Sequence, residues 1–263
     1  MQNALASLLR HLAIGTITGG FVGAIAGGLG SRIAMRITAQ MTTENLQGRL
    51  TEAQARVGEI TTEGTIFLLF FATVLGIYGG LLYRIAAKWL PGKTALRGLG
   101  FGLLLLLLHG SLLIEGDNFD FTLFGSPIIN IAMFALLPVI FGIIVSYTEA
   151  WLERVYPTFA FRPKPLLLYL PGIFGGIFLF ALTISAIQAL NPRPGDGLFI
   201  NPAQAWIVLM MVAVIVISII FDPMMKQLRY AIYLKALLLG IPAIYGGMLL
   251  YASIREIMMG SSQ

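Results

Sequence analysis

The sequence predicts an all-α fold: a polytopic transmembrane helix bundle of about seven spans, with a cytoplasmic amino terminus and the carboxyl terminus outside. Three observations carry this expectation. The chain is 57% hydrophobic and only 11% charged, against about 25% charged in a soluble domain. Apolar windows of about 20 residues, the length that crosses a bilayer as a helix, recur along all 263 residues. Lysine and arginine stand at the edges of these windows instead of in clusters. A net charge of +5 distributed in this way is a topology signal, not a nucleic-acid footprint. The mean hydropathy of +0.86 agrees.

The windows fall at 12–34, 64–84, 96–114, 127–148, 166–190, 203–221 and 235–254, and form one integral membrane domain over 1–263. Turn chemistry separates them. Pro91-Gly92 divides the second from the third, and EGDNFDF the third from the fourth. Pro157, Pro163 and Pro165 precede the fifth, NPRPGDG and Asn201-Pro202 precede the sixth, and Asp222-Pro223 ends it. Ala24-Ile25-Ala26 mimics a signal-peptide cleavage site, but the run before it is too rich in glycine for a secretory core. The first window is therefore expected to stay as a span.

An odd number of spans puts the termini on opposite sides. Arg10, Arg84, Lys88, Lys93, Arg97, Arg154, Arg162, Lys164, Lys226, Arg229 and Lys235 share one side. Arg32, Arg36, Arg49, Arg56, Arg193 and Arg255 share the other. The richer side is expected to be cytoplasmic. The long external loop, 38–63, repeats Leu46, Leu50, Ala53, Val57 and Ile60 at helical spacing. It predicts a short surface helix.

Inside the first window a small residue returns every fourth position: Gly15, Gly19, Gly23, Gly27 and Ser31. Helices in lipid gain nothing by hiding apolar side chains from each other. Small residues let their backbones approach, and dispersion contacts hold them. The stripe covers about 24 Å of helix, so the first helix is expected to pack along most of its length. Its partner is a neighbour in the same chain, another subunit or a second copy, or a flat lipid or pigment. Paired glycines recur in GIYGGLLY and AIYGGMLLY, in the second and seventh windows. An inverted repeat would produce such a pair.

Ionisable residues deep in a membrane mark function, and here they are scarce. Arg84 and Lys235 lie near window ends, where long side chains reach headgroups. His109 is the exception. It is either a hydrogen-bonded structural residue or a pigment ligand. A paired-histidine haem fails, since the only other histidine, His11, lies near the opposite face. The sequence requires no cofactor. Arg32, Arg36, His109, Glu115, Asn130 and Gln188 gather toward the outer side and are candidates for a polar pocket, the arginines clamping an anion. Asp117 and Asp120 are the oxygen ligands nearest to a cation site, but they lack the spacing of a calcium loop. Pro138 with Gly142, Pro171 with Gly172, and Gly240 with Pro242 are candidate helix breaks. The chain has no cysteine, so thiol chemistry is excluded. No phosphate loop, zinc helix or nucleophile elbow occurs.

The strings SRIAMR, TEGTIFLLFFATVLGIYGGLLY and DNFDFTLFGSPIINIAMFALL resemble multi-span membrane proteins of bacteria that carry no known activity. The resemblance covers roughly residues 15–155. It implies a bacterial cytoplasmic membrane and transfers no functional residue.

A tight glycine surface without visible chemistry predicts a non-catalytic membrane protein, an accessory or structural subunit of a larger bacterial assembly. Its partners would be membrane lipid and other subunits or itself, with no nucleic acid. A transporter or channel using the outer polar pocket is the alternative. A lipid-active enzyme built on His109 is a further one.

Overall fold

Backbone in hydrocarbon has no water to bond, so each apolar window must close its hydrogen bonds within itself, and a helix does so. The computed structural model describes residues 2–42, 48–50, 56, 59–157, 166–191, 201–225 and 231–260. Its elements are helical, with no strand among the described residues. They are α1 (Gln2–Val22), a π-helical segment (Gly23–Leu29), α2 (Gly30–Met41), α3 (Thr62–Ala86), α4 (Thr94–Leu113), α5 (Asp120–Leu123), α6 (Pro127–Val155), α7 (Leu170–Leu190), α8 (Pro202–Met225) and α9 (Ala231–Gly260).

Among the described residues, six helices are long and apolar enough to cross a membrane, the first being the continuous run Leu5–Met41. These helices mark a membrane protein. The sixth predicted window lies on α8, whose described apolar stretch, Pro202–Ser218, is shorter.

Local chemistry sets several ends. Thr61 caps α3 by accepting from Gly64 N at 3.2 Å. Asn201 accepts from Gln204 N at 2.8 Å at the start of α8. Gly92, at φ 95°, makes the turn between α3 and α4 that a side chain would resist.

Some boundaries differ from expectation. The first helix passes residue 34 and continues to Met41, burying Ala34 and Ala39 while its arginines stay on other faces. Likewise α6 runs to Val155, because the turns after residue 148 hold the carboxylates that pair with α1 and α3. Pro138 and Pro242 lie inside continuous helices, and Pro171 opens α7, where a missing N–H costs nothing. The three candidate breaks therefore do not interrupt helices. Of the expected surface helix over 46–60, Leu50 and Arg56 are joined by an isolated antiparallel bridge. Leu46, Ala53 and Val57 lie outside the described residues. So do Arg162, Lys164, Arg193, Lys226 and Arg229, and the side chain of Lys235.

Glycines determine how closely the helices pack. A methyl on Gly19 would strike the Gly76 carbonyl oxygen and come within 2.8 Å of Gly80 Cα. One on Gly23 would meet the Ala72 carbonyl oxygen and lie 2.7 Å from Gly76 Cα. Gly15 faces Leu81 and Gly80, and Gly27 faces Ala72. The glycine face of the first helix thus lies on α3 of the same chain. On another side, Gly172 and Gly175 of α7 meet Leu9 and Thr16 of α1. A second seam joins α4 to α6, where Gly98 and Gly102 face Gly142, Ser146 and the Pro138–Val139 backbone. The two similar glycine strings do different work: Gly76 and Gly80 seat α1, whereas Gly246 seats α9 on Leu107 and Leu108 of α4.

Around these seams the apolar core closes. Leu82, Phe101, Leu108, Val145, Ile207 and Met211 are fully buried within one cluster drawn from α3, α4, α6 and α8. The ring of Tyr83 meets Phe101 edge-on at 5.0 Å.

Candidate functional site

The deep histidine sits where α3, α4 and α8 converge. His109 and Ser111 come from α4, one turn before its end, Tyr78 from the IYGG string of α3, and Gln204 from the first turn of α8. The Tyr78 hydroxyl lies 3.0 Å from His109 Nε2. On the other side of the ring, His109 Nδ1 lies 3.1 Å from Gln204 Oε1. Gln204 Nε2 then donates to Ser111 Oγ at 2.5 Å.

One proton arrangement satisfies every member: Tyr78 donates to Nε2, and Nδ1–H donates to the glutamine oxygen. Both ring nitrogens therefore have protein partners. Gln204 is fully buried. Such a network fixes three helices in register, since an unmade bond here would leave a bare polar atom in apolar surroundings.

Toward the same side, Asn130 is 2% exposed. It donates to the Phe124 carbonyl at 2.6 Å and accepts from Thr38 Oγ1 at 2.7 Å. It ties the start of α6 to α2. His109 and Asn130 thus belong to separate networks, each with its own partners. Gln188 is exposed on α7. Arg36 is exposed and Glu115 half-buried. None of the six pocket candidates lines the groove between α4 and α9. Asp117 is exposed, and no cluster of three metal-ligating side chains occurs among the described residues.

Arg32 stands apart. Its guanidinium lies against the first turn of α3, with Nη2 at 2.8 Å from where a methyl on Gly64 would sit. Its Nε and Nη2 atoms are buried and make no hydrogen bond.

The opposite end of the bundle holds charges whose pairing the sequence did not announce. Arg84 of α3 forms ion pairs with Glu149 and Glu153 of α6, the second at 2.6 Å. Arg10 of α1 reaches Glu153 Oε1 at 2.5 Å. Arg10 also donates to the carbonyls of Glu153, Tyr156 and Pro157. Arg84 does not extend to the headgroups as its window-end position predicted. Its side chain is 10% exposed, and it lies between carboxylates four residues apart, on successive turns of α6. Nearby, Tyr156 donates to the Leu168 carbonyl at 2.7 Å, holding the chain beyond α6 against the entry to α7.

Tyr78, Thr38, Glu149 and Glu153 were invisible as partners, because they lie 31 to 143 residues from the groups they meet. Gln204 had a local signal. Asn201-Pro202-Ala203-Gln204 has the spacing of a helix-capping box, which places a glutamine at the mouth of the eighth helix.

The fold defines a helical protein with several membrane-length apolar helices, in which His109, Asn130, Arg10 and Arg84 bond to other helices. No family model, no curated protein and no solved structure matches the chain.

Proposed function

We propose that this chain is a non-catalytic membrane protein, an accessory or structural subunit of a larger assembly in the bacterial cytoplasmic membrane. In that setting it spans the bilayer seven times, with its amino terminus inside. One observation carries the reading: the deepest reactive side chain, His109, has both nitrogens engaged by Tyr78 and Gln204. Asn130 and the Arg10–Arg84 carboxylate cluster are engaged in the same way, by helix-to-helix bonds.

Isolation in mild detergent tests the subunit role. Other membrane polypeptides are expected to co-purify with the tagged chain. A chain that runs at monomer mass with no companion contradicts it.

A second reading, a transporter or channel open to the outside, draws on Arg32. Its two buried nitrogens without partners are costly, and an anion beside them would reduce the cost. Reconstitution into proteoliposomes separates the two readings. Transport of a small anion that falls on Arg32→Ala supports the second. An inert parent protein leaves the subunit reading standing.

A further inference from the structure

The lipid-facing side of α9 carries a groove of about 540 Å³ that its packing against α4 leaves open. Gly240 and Gly247 form its pits and Leu107 of α4 its floor. A methyl on Gly240 would meet nothing within 4 Å, and one on Gly247 would lie 3.3 Å from Leu107. Ile244, Met248 and Tyr251 rise along the groove, 62%, 64% and 68% exposed.

The groove has a direction. At 1.5 Å per residue, Gly240 to Tyr251 spans about 16 Å, close to the thickness of one leaflet, about 15 Å. One turn beyond Tyr251 stands Arg255. Residues 240, 244, 247, 248, 251 and 255 fall within a stripe ~100° wide on a 3.6-residue helix. Arg255 therefore lies in line with the groove, just past its aromatic end. It is exposed and forms no hydrogen bond or ion pair among the described residues. Glu256, its neighbour in sequence, turns instead toward Gly116.

From this arrangement we infer that the groove binds one anionic phospholipid. Its acyl chain lies along Gly240 and Gly247, and its phosphate meets Arg255 beyond Tyr251. The relief favours an acyl chain over a helix. Ile244 stands between the two pits and Met248 beside the second, so a neighbouring backbone cannot approach the glycines as α1 approaches α3. A bare hydrocarbon chain can bend between such ridges. Tyrosine at the polar end fits the interfacial preference of aromatic side chains, and the cation supplies complementary charge.

The test is lipid binding by the whole purified chain, measured with spin-labelled phosphatidylglycerol and phosphatidylcholine in neutral detergent micelles. The parent protein is expected to immobilise one phosphatidylglycerol with about five-fold preference over phosphatidylcholine, the weight of one interfacial cation. Arg255→Gln should bring that preference close to one. Gly240→Leu should reduce immobilisation of both lipids. The open space at this position leaves the fold intact, and an unchanged gel-filtration profile checks that. Equal binding of the two lipids by the parent protein overturns the inference. So does a preference that survives Arg255→Gln, or a dimer whose cross-links place a second copy in the groove.

Discussion

His109 shows what a polar residue does in an apolar bundle. Its ring cannot go unbonded there, and the two groups that satisfy it come from helices far apart in sequence. Truncation to alanine strands Tyr78 and Gln204 together. His109→Ala should therefore destabilise the fold by about 2 kcal/mol, the usual cost of a buried group left unsatisfied. Thermal unfolding in detergent would show a midpoint lower by several degrees. An unchanged midpoint would remove the structural role. The purified parent protein should also lack any visible absorption band, because a pigment metal would have to break a bond to Tyr78 or Gln204. Composition alone argued against a paired-histidine haem, because no second deep histidine exists to share a metal. The partners of His109 were not legible: hydrogen bonding between helices follows tertiary packing, which local pattern does not encode.

At the scale of the element, the glycine seams and the ion-pair cluster control how helices meet. The sequence carries a four-residue period of small side chains, and a Cβ at Gly15, Gly19, Gly23 or Gly27 would meet α3. It did not say what covers this face, and α3 does, through a glycine pair of its own at Gly76 and Gly80. Gly19→Ala should cost at least about 2 kcal/mol, because the added methyl meets backbone that cannot rotate away. Gly100→Ala is the matched control. Its methyl would lie 3.7 Å from Leu90, an ordinary contact. There the helix should gain a few tenths of a kcal/mol from alanine. Equal effects at the two sites would show that the seam is looser than described. The π-helical turns at Gly23–Leu29 had no readable signature. Gly30 N bonds Ile25 O across five residues, and Ser31 Oγ takes up the Gly27 carbonyl at 2.6 Å.

At the other end, Arg84→Ala leaves Glu149 without a cation and Glu153 with Arg10 alone. The expected loss is roughly 3 kcal/mol, discounted from a fully buried pair because Glu153 is 41% exposed. Arg84→Lys should recover only part of it, since one ammonium cannot serve both carboxylates as a guanidinium does. Full recovery by lysine, read in the same unfolding assay, would reduce the cluster to simple charge.

For the whole molecule, the all-α class followed from window length, which bilayer thickness fixes in advance; among the described residues six helices reach that length, against seven expected windows. Sidedness rests on the distribution of arginine and lysine, and the cysteine-free chain makes it simple to test. In intact cells, Asp117→Cys should react with an impermeant maleimide and Lys93→Cys should not. The reverse pattern would invert the bundle.

The central claim is that the small and polar residues of the first helix serve its own chain. Oxidation of a Gly27→Cys, Ala72→Cys double variant tests it most directly. A methyl on Gly27 would lie 3.0 Å from Ala72 Cβ, near the ~3.8 Å between β-carbons of a disulfide. The account predicts a cross-link within one chain, migrating at monomer mass. A dimer formed when the two single variants are mixed, with no bond inside the double variant, would contradict it.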